Sequence, residues 1–239
     1  MDWKSLIDWN GRAIIPAGIT TIEAFAFDRC KELKSVYCLE GLTKIEECAF
    51  LNCENLEEVD LPQSLQSIGG AAFAMCSKLK SITIPDRVTK IESGTFHDSG
   101  LVQVFLPSSL ISIGVRAFEN CDHIQQIDIP DSVSSIGDYA FNMTLIANVK
   151  ISSSLTTIGK EAFDYGCIGN LCLSSGNPSD YSILKDVIPP EKMKGIRLIV
   201  PTGSEKAYKE DSFFSHFNGV YNEAFAREVG WLHLNTPEK

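Results

Sequence analysis

The sequence predicts an α/β-type repeat solenoid. Seven right-handed coils of 22–23 residues, mostly short parallel strands with single helical turns, are expected between two caps. Three observations carry that reading. Phe27, Phe50, Phe73, Phe96, Phe118, Phe141 and Phe163 recur at intervals of 23, 23, 23, 22, 23 and 22 residues. Four aliphatic columns share the period, and prolines and glycines punctuate it at fixed places. Such a period arises when each unit buries its apolar face only against its neighbours.

The elements follow in order along each unit. Leu33, Leu56, Leu79, Leu101, Ile124, Ile146 and Ile168 open it, and Val36, Val59, Ile82, Val104, Ile127, Val149 and Leu171 follow three residues later. The β-branched, alternating run at 79–84 reads as a short strand. Strands are therefore expected at 34–36, 57–60, 80–83, 102–105, 125–128, 147–150 and near 170–172. Pro62, Pro85, Pro107 and Pro130 stop them, because proline has no N–H for a ladder. A second extended piece runs from Ile19, Leu42, Leu65, Val88, Leu110, Val133 or Leu155 to Ile22, Ile45, Ile68, Ile91, Ile113, Ile136 or Ile158. Gly69, Gly114, Gly137 and Gly159 then suggest a tight corner, although Glu23, Glu46 and Glu92 stand there in other units, so a positive φ is not obligatory. The Ala-Phe-x-x-Cys stretch is too short for a stable helix and is read as one helical turn.

The pattern resembles the BspA-like, or Treponema-pallidum-type, leucine-rich repeat family. Ile84-Pro85, Ile129-Pro130, Ser135-Ile136-Gly137, Ala140-Phe141 and Ala72-Phe73-Ala74-Met75-Cys76 carry the resemblance, which covers residues 15–173. Glu40 and Ser152 depart from the expected proline, and Ser99 and Thr144 from the cysteine. The resemblance implies a leucine-rich repeat solenoid and a bacterial surface or secreted, adhesin-like protein that binds macromolecules. An intracellular interaction scaffold is the alternative.

Both ends differ from the middle. Residues 1–14, with Trp3, Leu6, Ile7 and Trp9, are expected to cap the first coil, since a bare solenoid end exposes apolar surface. Residues 174–239 read as a divergent terminal repeat and C-terminal cap, with short helices at 180–187 and 204–210 and a strand at 196–200. The stretch 198–208 resembles the family's terminal unit. Phe213, Phe214, Phe217, Tyr221, Phe225 and Trp231 crowd the span after it, as a cap or as an aromatic patch for a partner.

A net charge of −10 and a pI near 4.9 argue against nucleic acid, whose binding requires cationic contacts to phosphate. No segment reaches the roughly 20 apolar residues of a membrane span. Residues 1–6 lack a basic stretch followed by an apolar one, so the chain is expected to be cytoplasmic unless an export signal precedes it. His97, His123, His216 and His233 are scattered without ligand spacing, and His97 and His123 fall in variable loops. No nucleophile elbow, His-Glu-x-x-His or phosphate loop occurs, so neither catalysis nor a cofactor nor a metal is expected.

Cys30, Cys53, Cys76 and Cys121 share one column three residues after the phenylalanine, without any C-x-x-C pair. They read as buried, reduced thiols. Cys38, Cys48, Cys167 and Cys172 lie elsewhere, and Cys48 is expected to be exposed. Outward side chains of the strands form two rows. One reads Ser35, Glu58, Ser81, Gln103, Gln126, Asn148, Asn170, a polar ladder. The other reads Tyr37, Asp60, Thr83, Phe105, Asp128, Lys150, Cys172. Its aromatics beside carboxylates make Tyr37, Asp60, Phe105 and Asp128 the expected contact set for a protein or other macromolecule.

Overall fold

A computed structural model describes residues 1–163 and 168–232; Cys167 and His233 lie outside the described residues. The coils stack through two rows of parallel strands. The longer row comprises Arg12–Ile15, Ser35–Cys38, Glu58–Asp60, Ser81–Thr83, Gln103–Phe105, Gln126–Asp128, Asn148–Ile151, Asn170–Leu173, Arg197–Val200 and Val220–Asn222. The shorter row runs through Thr21–Ile22, Lys44–Ile45, Ser67–Ile68, Lys90–Ile91, Ser112–Ile113, Ser135–Ile136 and Thr157–Ile158. Pairing keeps the repeat register: Val36 lies opposite Val59, Ile82 opposite Val104, and Ile127 opposite Val149.

The seven central strands form within one or two residues of their expected bounds, Ser35–Cys38 ending two residues later than expected, and the row also continues past both ends of the phenylalanine period. Arg12–Ile15 pairs with Ser35–Cys38, and Arg197–Val200 and Val220–Asn222 extend the other end. Strand alternation survives there, while the longer connection after Leu173 folds into the short helices Leu184–Val187 and Pro190–Met193.

Inside, the seven phenylalanines form one column of near-parallel rings. Adjacent centroids lie 5.1 to 5.8 Å apart with interplanar angles of 4° to 13°. Trp3 closes the column edge-on against Phe27 at 5.9 Å, and its indole N–H donates to Glu23. The aliphatic columns surround these rings. Val59 and Val104 are half-buried, whereas Val36, Ile82, Ile127 and Val149 are buried.

The stretch around each phenylalanine is not the helical turn that its length suggested. At Phe27, Phe50, Phe73, Phe96, Phe118 and Phe141, the residues two before and two after the ring adopt positive φ, as in Cys48 (55°) and Asn52 (57°) or Arg116 (56°) and Asn120 (58°). While the N–H groups of Leu51 and Cys53 turn back to Cys48 O and Phe50 O, the chain thereby directs the alternate ones to the next coil, Phe50 to Ala72 O and Asn52 to Ala74 O, both at 2.8 Å. A helical turn would point them back along its own chain and lose these bonds. The corner glycines are likewise explained by space. No positive φ occurs at Gly137, but a Cβ there would lie 2.5 Å from the Val115 backbone nitrogen of the preceding coil.

One junction in the stack is looser than the others. Between the coils of Phe73 and Phe96 the ladder breaks in both strand rows, and ring spacing widens to 5.8 Å from 5.1–5.2 Å elsewhere in the column. The phenylalanine edge stays bonded, with Phe73 N–H donating to Thr95 O and Met75 N–H to His97 O, both at 2.8 Å. Thr95 is fully buried where neighbouring coils carry Ala72 and Ala117. Its hydroxyl donates to Glu92 O at 2.9 Å, with Gly69 O of the preceding coil at 3.4 Å. The bulkier residue thus lies at the junction where both strand rows open. A cleft of about 430 Å³ opens beside Asp60 and Thr83, and one of about 510 Å³ beside Gly69 and Glu92.

Candidate interaction surface

Alternation along the longer strands turns every second side chain outward. Register then sets Tyr37 beside Asp60, Thr83 beside Phe105, and Asp128 beside Lys150. The four expected contact residues therefore share one outward row, with Asp60 and Asp128 exposed and Tyr37 and Phe105 half-buried. They do not sit on one continuous sheet. Ladder breaks leave Tyr37 and Asp60 on a three-stranded piece, Phe105 on a two-stranded piece and Asp128 on a five-stranded piece.

Tyr37 is already held within this surface. The Arg12 guanidinium covers its ring at 4.5 Å, and its hydroxyl donates to Glu58 Oε2 at 2.6 Å. That carboxylate retains the phenolic proton and pushes the Tyr37 pKa up. Periodicity placed Tyr37 on the face but gave no sign of this clamp, because Arg12 precedes the first full repeat.

The far end of the face is covered by the chain itself. Asn222 caps the helix Glu223–Glu228, its side chain accepting from Phe225 N–H at 2.8 Å. Trp231 then packs edge-on against Tyr221 at 5.0 Å and Phe225 at 5.5 Å, under the Arg197 guanidinium at 4.5 Å. Asn170 is buried beneath this closure. Its amide nitrogen donates to Asn148 Oδ1 at 2.5 Å, and its oxygen accepts from Arg197 at 3.3 Å. Ile199, which continues the outward row, is fully buried for the same reason. The aromatic cluster thus divides. Phe214 and Phe217 pack with Tyr208 in the terminal core, while Tyr221, Phe225 and Trp231 build a wall over the strands.

Where the wall meets the open face, a cavity of about 270 Å³ forms. Gln126, Asp128, Lys150 and Cys172 line it from the strands, and Glu223 and Arg227 from the helix. Lys150 pairs with Asp131 at 3.4 Å, and Arg227 with Glu223 at 3.5 Å. Desolvation pushes the Cys172 thiol up to about 12, reinforced by Glu223 and Asp128. Of this site, only Asp128 was legible as a contact residue; Glu223 and Arg227 reach it through a tertiary fold-back that no repeat period encodes.

His97 is half-buried rather than free in a loop, with Asp98 at 2.9 Å and Glu119 at 3.4 Å from its two ring nitrogens. No cluster of three His, Cys, Asp or Glu suited to a metal occurs among the described residues. Cys30, Cys53, Cys76 and Cys121 are free and buried. Cys48 is half-buried, less open than its variable position implied. No described helix is long and apolar enough to cross a membrane.

A family model for the BspA type leucine rich repeat region, in six copies, matches residues 11–114 and 76–179. The chain belongs to that family. A leucine-rich repeat protein from Bacteroides ovatus is similar in structure, with a TM-score of 0.59 and 24% identity over 88% of this chain and 60% of that one. A leucine rich cell surface protein from Faecalibacterium prausnitzii matches with a TM-score of 0.44 and 20% identity, over 89% and 59%. The chain spans about three fifths of the length of either. At 24% identity the likeness to the Bacteroides protein shows the fold alone. No curated protein matches the chain.

Proposed function

We propose that this BspA-type repeat protein is a non-catalytic interaction module whose outward strand row holds a macromolecular partner. Its family resemblance suits a bacterial surface or secreted, adhesin-like role. The observation that carries the reading is the register of the row: Tyr37 beside Asp60, and Asp128 beside Lys150, on strands locked by a packed core. Side chains already ordered by their scaffold lose little entropy on binding. The net charge of −10 favours a partner with a basic patch and a salt-sensitive association.

Surface plasmon resonance against a panel of immobilised basic proteins, acidic proteins and polysaccharides tests this. Saturable binding should appear with basic members, weaken as salt rises, and fall when Tyr37→Ser and Phe105→Ser are combined. Removing residues 204–239 would be a poor control, because Tyr208 and Phe214 are fully buried in the terminal core. Phe225→Ser with Trp231→Ser is the sharper one. Binding that survives the first pair and is lost in the second would move the contact to the C-terminal wall. Preference for acidic partners would overturn the charge argument.

A further inference from the structure

We propose that the cavity under the C-terminal helix is a docking pocket for one basic side chain, lysine or arginine, presented by a protein partner. The inference rests on the strand-face reading and specifies its anchor. Two features of the lining match such a side chain. Val149, Leu173 and Leu232 supply apolar wall for a methylene stem, and Asp128 and Glu223 supply acceptors for its charged head.

The charges of the lining sum to zero, but they are not equally free. Lys150 is engaged by Asp131 in the neighbouring turn. Arg227 is engaged by Glu223 within its own helix, in a half-exposed i,i+4 pair of the kind that contributes little and exchanges readily. Asp128 makes no hydrogen bond or ion pair with the described residues, and it is exposed towards the cavity. Counting Asp131, three carboxylates face two cations around the cavity, so its net charge is negative. At Cys172, after desolvation, Glu223 and Asp128 raise the thiol pKa and outweigh Lys150, which lowers it. An acidic side chain entering here would face those carboxylates. The volume of about 270 Å³ falls just below the roughly 300–1,000 Å³ of small-molecule clefts and suits one side chain.

The test uses the full-length protein and three capped tripeptides, acetyl-Gly-X-Gly-amide, with X arginine, norleucine or glutamate. Titrations are followed by ¹H–¹⁵N NMR at Asp128, Cys172 and Glu223 and by Trp231 fluorescence. The arginine peptide should give saturable shifts at these residues with a millimolar Kd. Asp128→Asn should weaken it roughly tenfold, the scale of one lost charge-assisted contact, with an unchanged melting curve. Norleucine keeps the stem without the charge and should bind several-fold more weakly.

Equal binding of norleucine, preference for glutamate, indifference to Asp128→Asn, or no saturable shift would each overturn the proposal. No partner is needed for this titration, so the two readings fail separately. Lost peptide binding with intact partner capture removes only the pocket. Saturable arginine binding without any partner capture removes only the strand-face reading.

Discussion

The thiol of Cys76 donates to the backbone carbonyl of Phe50, one coil back, at 3.3 Å. Cys53 makes the same bond to Phe27 O at 3.1 Å, and Cys121 to Phe96 O at 3.0 Å. The cysteine column is thus a set of small donors that satisfy carbonyls beside the phenylalanine rings. Small hydroxyl residues occupy the same column in other coils, with Ser99 contacting the Cys121 sulfur at 3.3 Å and Thr144 donating to Phe141 O at 2.6 Å.

Alkylation should follow burial. Cys53, Cys76 and Cys121 are expected to react only after unfolding, while half-buried Cys48 reacts first among the described thiols. Mass spectrometry after a brief pulse of reagent measures the order, and early labelling of Cys76 would contradict it.

These thiols also set a pH dependence. Desolvation pushes Cys53 up to about 12 and Cys121 to about 11, from an ordinary value of 9.0. The native state therefore holds these protons more tightly than the unfolded chain. Their stabilising contribution is complete below about pH 9 and is lost as pH rises through the native values. Urea midpoints should fall between pH 8 and pH 11, roughly, and fall less steeply in Cys53→Ala/Cys121→Ala. Equal slopes in both proteins would exclude this cause.

Phe73→Ala and Phe96→Ala should each cost about 3–5 kcal/mol, because each ring is fully buried and stacked on both sides. Phe105 is half-buried on the outer face, so Phe105→Ala should cost far less. Urea denaturation decides, and equal losses at Phe96 and Phe105 would reverse the inward and outward assignments.

Thr95→Ala should tighten the loose junction. Hydrogen exchange at the amides of Ser81–Thr83 is expected to slow as the ladder to Glu58–Asp60 closes. Exchange that stays as fast in the variant would show that something other than the threonine holds these coils apart.

Two glycines should respond oppositely to alanine. Gly137→Ala forces a Cβ to 2.5 Å from the Val115 nitrogen and should destabilise by about 1–3 kcal/mol. Gly94→Ala places the new Cβ no closer than 3.9 Å to His97, at a φ of 63° that Ala71 already adopts at 52° in the preceding coil. It should cost well under that. Thermal melts compare the two directly.

The repeat period by itself determined the stack, the central strands and which side chains face in, because every coil meets nearly the same neighbours and one residue's environment is its whole column's. Tyr37, Asp60, Phe105 and Asp128 could be assigned to one outward row on that ground. Departures from periodicity were decided by tertiary structure. The left-handed residues around the phenylalanines from Phe27 to Phe141 answer to hydrogen bonds reaching the next coil, and glycine at 137 to the closeness of the previous one. The junction beside Thr95 opens without any signal in the hydrophobic pattern. The clamp on Tyr37 and the cavity at Asp128 depend on residues outside the phenylalanine period, Arg12 at one end and Glu223, Arg227 and Trp231 at the other. Capping segments fold back to cover what the last coils would expose, so their contacts follow the shape of the finished stack and not the repeat.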